Sequence, residues 1–317
     1  YLSKLNIILQ KRRLGSKINT NIVRKIVKDV KKNKQKALLK YEKKFSNNKK
    51  IKPTKNEINN SIKTLDPKIK NAIDFAYSRI LKFHSLQKTK NIKYLDNQNN
   101  KIEYRYIPIQ SVGIYVPANL PSTLLMNAIP AKKIAKVKRV VLANPRLNGK
   151  LNPAVMYAAK KCGISEIISA GGSQAIASLA YIQKVNKIIG PGNDYVARAK
   201  QEVFGDVGIE GMIAGPSEIT VVADKNTNLN QIITSMISQA EHDINSQCIL
   251  ITNNLNLINS IKKYLKYELN KIPRKAIAKK SLLKNGLIIR THNNKQIIDS
   301  INEIAPEHLE LNIKNYK

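Results

Sequence analysis

Short apolar runs alternate with longer segments rich in small residues, and this alternation constrains the fold more than any other feature. The pattern begins near Val112 and continues past Asp224. Strands of a parallel sheet are buried on both faces, so they are typically continuous apolar runs followed by a crossover helix. The first runs are VGIYV, RVVLANP, EIISA, KIIG and EITVVAD. The chain is therefore predicted to be an α/β protein with a parallel, doubly wound sheet.

A second α/β pattern follows Asp224, and a helical region precedes the first one. The strands QCILIT and GLIIR are each followed by an amphipathic segment. Residues 20–86 carry apolar side chains at spacings of three and four, which predicts N-terminal helices, and IEYRYIPI then alternates like a strand. A length of 317 residues is enough for two ordinary domains.

The net charge of +35 raises the hypothesis of a basic nucleic-acid-binding protein. Its distribution argues against that function, because Lys is spread through nearly every segment and charge alone supplies only non-specific affinity. Trp is absent, and no aromatic-rich strand could stack bases. Nucleic acid is therefore not expected as a partner, and this function remains a remote alternative.

Membrane and disulfide chemistry are also not expected. No stretch approaches 18 uncharged apolar residues, so no membrane partner is predicted. Cys162 and Cys248 lie far apart and match no metal or disulfide spacing. A reducing cytoplasm is the predicted location.

Four loops rich in Gly, Pro and short polar residues are predicted at strand ends. They are YVPANLPST (115–123), AGGSQA (170–175), GPGND (190–194) and AGPSE (214–218). Ligands of open α/β sheets bind beyond the carboxyl ends of the strands, so the four loops are expected to share one crevice. The alternative is that each is an ordinary tight turn. The dinucleotide fingerprint G-x-G-x-x-G is absent.

The sequence SQAEHD places Gln239 and His242 three residues apart on a predicted helix face. An imidazole nitrogen and an amide oxygen can both bind a divalent metal. The alternative interpretation is a solvated helix end, since two ligands do not make a site.

The sequence APEHLEL (305–311) contains the other candidate pair. Pro306 suits the first turn of a helix, which would place Glu307 and His308 at its positive end. That field would keep Glu307 ionised and His308 neutral, so both could accept protons. An ordinary helix start is the alternative.

These motifs, in this order, resemble the histidinol dehydrogenase family. The similarity covers essentially the whole chain, and the combination is specific although each motif alone is not. The stretches that carry it are SVGIYVPANLPSTLLMNAIPAKKI, GGSQAIASLAY, IIGPGNDYVARAKQEVFG, IEGMIAGPSEITVVAD, SQAEHDINSQCILIT, APEHLEL and AIDFAYSRILKFHSLQ.

The resemblance implies NAD-dependent oxidation of L-histidinol to L-histidine through the aldehyde, with one Zn²⁺ per site, in a homodimer. It also implies two incomplete Rossmann-like domains, one inserted in the other: residues 15–114 with 219–317, and residues 115–218 as the NAD-binding domain. The family's roles fall on Tyr115, Gln174 and Asn193 for NAD, Ser217 for substrate, Gln239 and His242 for zinc and, through it, substrate, and Glu307 and His308 for acid/base chemistry, with His308 also contacting substrate.

The sequence departs from the family at two places. Only ANL lies between Pro117 and Pro121, where the family has a Gly-Gly loop about three residues longer. The sequence ends at Lys317, whereas the family's other zinc ligands, an Asp and a His, and its C-terminal dimer segment come later. We therefore also consider a fragment, or a shortened relative that keeps the fold with impaired catalysis.

Overall fold

The structure is a computed structural model that describes residues 2–13, 20–210 and 217–314. It forms two compact units, Tyr1–Lys17 with Ala214–Lys317, and Ile18–Ile213. The helices in the described ranges are α1 (Leu2–Arg13), α2 (Thr20–Ser46), α3 (Lys55–Lys63), α4 (Pro67–Ser85), α5 (Pro121–Ala128, continued by a π-helical turn Ile129–Ile134), α6 (Pro153–Cys162), α7 (Gly172–Tyr181), α8 (Asp194–Val203), α9 (Leu229–Ala240), α10 (Leu255–Glu268), α11 (Lys275–Asn285) and α12 (Asn294–Ile304). The strands there are β1 (Ile92–Leu95), β2 (Lys101–Tyr104), β3 (Ser111–Tyr115), β4 (Arg139–Ala143), β5 (Glu166–Ile168), β6 (Lys187–Ile189), β7 (Gly208–Ile209), β8 (Glu218–Ala223), β9 (Gln247–Thr252), β10 (Gly286–Arg290) and β11 (His308–Asn312).

The unit of residues 18–213 contains a parallel five-stranded sheet with strand order β5-β4-β3-β6-β7. The central strand β3 is buried along its whole length. Val112 and Ile114 pack in a core with α5 and α6, while Tyr115 packs in a second core with α2, α7 and α8. The alternation of side chains along a strand divides them between the two faces in this way. The predicted α/β class with a parallel sheet is confirmed.

Helices α2, α3 and α4 belong to this same unit, whereas the family resemblance grouped residues 15–114 with residues 219–317. Helix α2 packs against α7 and α8, and α4 packs against α5 and α6. The reason is the apolar face of α2, where Val23, Val30 and Leu38 are completely buried in the core shared with α7. The hairpin of β1 and β2 is exposed at every position.

The unit that contains residues 217–314 has a parallel four-stranded sheet in the order β10-β9-β8-β11. One core joins this sheet to α9, α10 and α11, and another joins it to α1 and α12. The apolar strands β8 and β9 are central, as their continuous apolar sequences predict. In the part of the chain that the structure describes, no helix is long and apolar enough to cross a membrane.

Candidate active site

The candidate site of the unit of residues 18–213 is the edge of the five-stranded sheet where the strand order reverses. Chain order runs from β3 to β4 and β5 on one side, and then returns to β6 on the other side of β3. Ligands of open α/β sheets bind at this switch point, outside the carboxyl ends of the two strands. Here those ends are Tyr115 and Gly190, so this edge is the expected binding crevice of the unit.

Gly190 and Gly192 leave this edge free of side chains. Gly190 has a φ of +110°, which disfavours other residues, and a Cβ there would overlap the carbonyl oxygen of Tyr115. A Cβ on Gly192 would overlap the side chain of Val196. The loop GPGND therefore packs directly on the end of β3, which only residues without a Cβ allow at these two positions.

A buried ion pair holds Gly190 in place. The N–H of Gly190 donates to Oε2 of Glu210 at 3.0 Å, and Nζ of Lys200 donates to the carbonyl oxygen of Gly190 at 2.5 Å. Lys200 also pairs with Oε1 of Glu210 and is only 5% exposed. An ammonium this buried needs a paired carboxylate, so Lys200 and Glu210 together fix the loop. The sequence analysis missed this pair, and nothing in the sequence marks it.

The structure links the loops that carry the three residues predicted to contact NAD. Buried Tyr115 accepts a hydrogen bond at its hydroxyl from the N–H of Gly172 at 3.3 Å, next to Gln174. Ser173 Oγ donates to the carbonyl oxygen of Tyr195 at 3.0 Å and so joins this loop to the start of α8. Asn193 is the N-cap of α8, and its Oδ1 accepts the N–H of Val196 at 3.2 Å. Three of the predicted loops therefore meet at one edge.

Glu42 is a residue of this region that the sequence analysis did not identify. Its carboxylate is fully buried, and Oε1 accepts the N–H of Gly171 at 2.9 Å and Nε2 of Gln174 at 2.7 Å. Burial raises the pKa of Glu42, and the two hydrogen bonds lower it less. A signal was present: Glu42 follows Leu38 at i+4 on the apolar face of a Lys-rich helix.

A separate group of candidate residues lies at the amino ends of β8 and β11, in the unit that contains residues 217–314. The prediction that AGPSE lies at the carboxyl end of a strand was wrong for Ser217 and Glu218, which lie at the amino end of β8. Residues 214–216 lie outside the described residues. Ser217 accepts the N–H of Gln247 at its carbonyl oxygen at 3.0 Å, which ties the start of β8 to the start of β9.

The predicted helix start at Pro306 was also wrong. Helix α12 ends at Ile304, Ala305 turns the chain with a φ of 46°, and His308 begins β11. The reason is tertiary: His308 pairs with Ile219 in the parallel ladder of β11 with β8. The helix-end field proposed for Glu307 and His308 is therefore absent.

Glu307 and His308 nevertheless lie side by side and open to solvent. Oε1 of Glu307 is 3.9 Å from Nε2 of His308, and their side chains are 36% and 59% exposed. That separation is beyond a direct hydrogen bond, so both groups are free to engage a reactant.

Gln239 and His242 lie at the end of α9, and His242 falls just beyond the helix rather than within it. Gln239 is in the last turn and is 7% exposed, and its Nε2 is buried without a hydrogen-bond partner. His242 is exposed, its N–H donates to the carbonyl oxygen of Gln239 at 3.2 Å, and its own carbonyl oxygen accepts Nη2 of Arg274 at 3.3 Å. A buried amide nitrogen without a hydrogen-bond partner is expected where a bound ligand supplies the missing acceptor.

These two residues do not by themselves fit a zinc ion. Within residues 2–13, 20–210 and 217–314, no group of three or more His, Cys, Asp or Glu side chains could hold a metal. Zinc sites in proteins take three or four protein ligands. The described residues supply two candidate donors, so no chemical step is assigned to a metal here.

Comparisons with known proteins show the family of this chain. The family model described as histidinol dehydrogenase matches residues 9–317. A histidinol dehydrogenase of Pelagibacter ubique is 57% identical over 320 residues, covering 99% of this chain and 74% of the relative. One of Bacillus cereus is 38% identical over 322 residues, covering 99% of this chain and 75% of the relative.

Solved structures give the same result. The crystal structure of histidinol dehydrogenase from Elizabethkingia anophelis matches with a TM-score of 0.89 and 37% identity, covering 95% of this chain and 71% of that one. A methylmalonate-semialdehyde dehydrogenase from Oceanimonas doudoroffii matches with a TM-score of 0.53 at 8% identity, covering 99% of this chain and 77% of that one, which shows a shared fold alone. On these grounds the chain belongs to the histidinol dehydrogenase family.

Proposed function

We propose that this chain oxidises L-histidinol to L-histidine through L-histidinaldehyde, using NAD in two successive hydride transfers at the end of histidine biosynthesis. The observation that carries the proposal is the meeting of three motif-bearing loops at the switch point of a parallel sheet in a member of this family. The alternative, a relative that keeps the fold with impaired catalysis, is decided by the assay described below.

The switch-point edge fits a dinucleotide. Gly190 and Gly192 allow the GPGND loop to pack closely on β3, and Glu210 and the buried Lys200 fix Gly190. Tyr115, Gln174 and Asn193 are the residues that would hold NAD, and when bound it supplies the hydride acceptor. The unit of residues 18–213 would then be the NAD-binding domain, and the unit with residues 217–314 would carry the substrate and acid/base residues.

Glu307 and His308 are proposed as the acid/base pair. In the first oxidation the alcohol carbon loses a hydride and its hydroxyl loses a proton, which the imidazole of His308 can accept. In the second, water adds to the aldehyde before hydride leaves, and Glu307 can take the proton of that water. Both side chains are open to solvent and have room for a reactant.

Ser217, Gln239 and His242 are proposed to bind the substrate, and Gln239 and His242 to bind zinc. The amide oxygen of Gln239 and an imidazole nitrogen of His242 are acceptable zinc donors. The buried Nε2 of Gln239 has no hydrogen-bond partner, and an acceptor of the substrate could complete it. The described residues supply only these two candidate donors, so the proposed zinc site needs further ligands.

We also propose a homodimer, because the segment from α4 to the start of β3 exposes many large apolar side chains. They lie on α4, on the hairpin β1–β2 and just after it: Phe75, Phe83, Leu86, Ile92, Tyr94, Leu95, Ile102, Tyr104, Ile107 and Ile109. A two-stranded hairpin is marginally stable alone, and apolar patches of this kind mark interaction surfaces. Light scattering at several protein concentrations tests this, and a monomer throughout would contradict it.

A cytoplasmic location is proposed from the cysteines. Cys162 and Cys248 are free and buried, and burial raises the pKa of their thiols to about 11 and about 12. Both are therefore inert thiols packed as small apolar groups.

The decisive experiment is incubation of the purified chain with L-histidinol, NAD⁺ and zinc. The proposed function predicts that NADH and L-histidine form in a ratio of two to one. NADH binding without turnover would support the impaired relative, and absence of both would contradict the assignment of the cofactor.

A further inference from the structure

Glu42 stands out among the buried polar residues of the unit that contains residues 18–213. It lies near the end of α2, is completely buried, and shares a core with Leu38 and Tyr41. A carboxylate in such a place is costly, because its charged form loses hydration. An apolar residue of similar size would stabilise the core better, so the contacts of Glu42 have to explain its presence.

The contacts of Glu42 converge on the loop that begins α7. Oε1 of Glu42 accepts the N–H of Gly171, the N-cap of α7, and Nε2 of Gln174. The segment just after α2 reinforces this attachment: Nδ2 of Asn48 donates to the carbonyl oxygen of Ser169 at 2.7 Å. Of these three hydrogen bonds, only the second, between Gln174 and Glu42, involves the side chain of Gln174.

The hydrogen bond to Glu42 determines the orientation of the side-chain amide of Gln174. Oε1 of Glu42 accepts the backbone N–H of Gly171, a group that can only donate, so this oxygen acts as an acceptor and the side chain of Gln174 turns its nitrogen toward it. The oxygen of that amide then faces the other way, toward Gly172. Gln174 consequently presents an acceptor at the loop that also binds the hydroxyl of Tyr115.

We propose that Glu42 is a positioning residue for the cofactor: it orients Gln174 so that the amide oxygen, not the nitrogen, meets a donor group of the dinucleotide. The donor would be a hydroxyl or amide of the cofactor. This inference rests on the proposed NAD-dependent function. Glu42 is not one of the residues proposed to contact NAD.

The test measures NADH binding directly, by fluorescence titration of the full chain, together with the melting temperature of each variant. Glu42→Leu is expected to raise the Kd for NADH about tenfold, because loss of one charge-assisted hydrogen bond is on the order of that factor. Glu42→Gln keeps an oxygen for Gly171 and Gln174 and is expected to bind within about threefold of the unaltered protein. Leu38→Ala is the matched control: it opens a cavity on the same helix, lowers the melting temperature and leaves the Kd unchanged.

A double variant in which Glu42 and Gln174 are exchanged tests the same inference if Glu42→Leu does not fold. Gln174→Glu alone places two carboxylates together and should weaken NADH binding. Adding Glu42→Gln to Gln174→Glu restores a donor–acceptor pair and should recover part of the loss.

The outcomes separate this inference from the proposed function. Equal Kd values for Glu42→Leu and the unaltered protein would overturn the positioning role while NAD binding stands. So would equal losses for Glu42→Leu and Leu38→Ala, or no recovery in the exchanged pair. If the unaltered protein does not bind NADH, the proposed cofactor fails and this inference fails with it.

Discussion

Oε1 of Glu218 accepts the backbone N–H of Glu307 at 3.2 Å, across 89 residues of chain. The other oxygen of Glu218 accepts Nε2 of Gln247 at 3.2 Å. One carboxylate at the start of β8 therefore sets the position of the residue that immediately precedes β11. Because Glu307 is a proposed base, its placement by Glu218 has a catalytic consequence.

Glu218→Leu is expected to lower kcat for histidinol oxidation about 10- to 100-fold, since small displacements of a catalytic group have effects of that order. Glu218→Gln keeps an acceptor for the N–H of Glu307 and should lose much less. Glu310→Leu is the control: Glu310 lies on β11, the strand that follows Glu307, and its loss should leave kcat unchanged. Steady-state kinetics with separate kcat and KM values decide the matter, and equal effects of the Leu and Gln variants at position 218 would contradict it.

The two proposed bases are expected to differ in the step they serve. His308→Asn should depress oxidation of both histidinol and histidinaldehyde, whereas Glu307→Gln should affect the aldehyde more, because only that step needs water to add. Loss of a general base costs about 10²- to 10⁴-fold in rate. Near-normal turnover of both substrates by either variant would remove that residue from the mechanism.

Gly190→Ala is expected to cost about 3 kcal/mol or more of unfolding free energy and to abolish NADH binding, because its Cβ would overlap the carbonyl oxygen of Tyr115. Gly205→Ala is the matched control. Gly205 also has a positive φ, +95°, but no atom lies within 4 Å of a Cβ there, so about 1 to 2 kcal/mol and unchanged binding are expected. Denaturant unfolding and NADH titration compare the two, and equal effects would show that the clash at Gly190 is relieved.

Acid should weaken the protein through Glu57. Nη1 of Arg146 donates to Oε1 of Glu57 at 2.5 Å and lowers the pKa of that carboxyl to about 2. A carboxyl whose pKa is lowered on folding stabilises the fold above its unfolded value, about 4.3, and loses that contribution as pH falls toward about 2. Glu57→Gln should therefore cost about 2 kcal/mol at pH 7, since Arg146 stays buried, and almost nothing near pH 2.

Glu268→Gln, in an exposed pair with Lys271, is the control for the acid measurement and should give no resolvable change in stability. A pH-independent effect of Glu57→Gln would contradict the assignment to this ion pair.

Zinc is expected to leave the purified 317-residue chain on dialysis, because the described residues supply Gln239 and His242 as donors where zinc sites take three or four. Metal analysis before and after dialysis measures this, with His242→Asn as the variant that should bind still less. Stoichiometric zinc after dialysis would mean that other ligands complete the site, and His292 and Asp243 would be the first to substitute.

The periodic elements were predictable because their signals are local. The apolar run of β3 predicted a buried central strand, and the spacing in α4 predicted a helix that begins after Asp66 with Pro67 in its first turn. Helix α11 was missed because its apolar residues follow no clear face. The placement of AGPSE was wrong because a strand pattern does not show which sheet, or which end of a strand, receives a loop.

The sequence by itself determined the parallel α/β class and the family motifs, since these depend on local periodicity and residue identity. The residues proposed to bind a dinucleotide or move a proton follow from the family resemblance and stay predictions. The tertiary structure alone decided that His308 begins a strand rather than a helix, because the pairing of β11 with β8 competes with the local preference of the PEHL sequence. It also decided that Glu42 turns inward to hold Gln174, a contact across 132 residues. Such contacts depend on how separate elements pack, and no spacing along the chain encodes them.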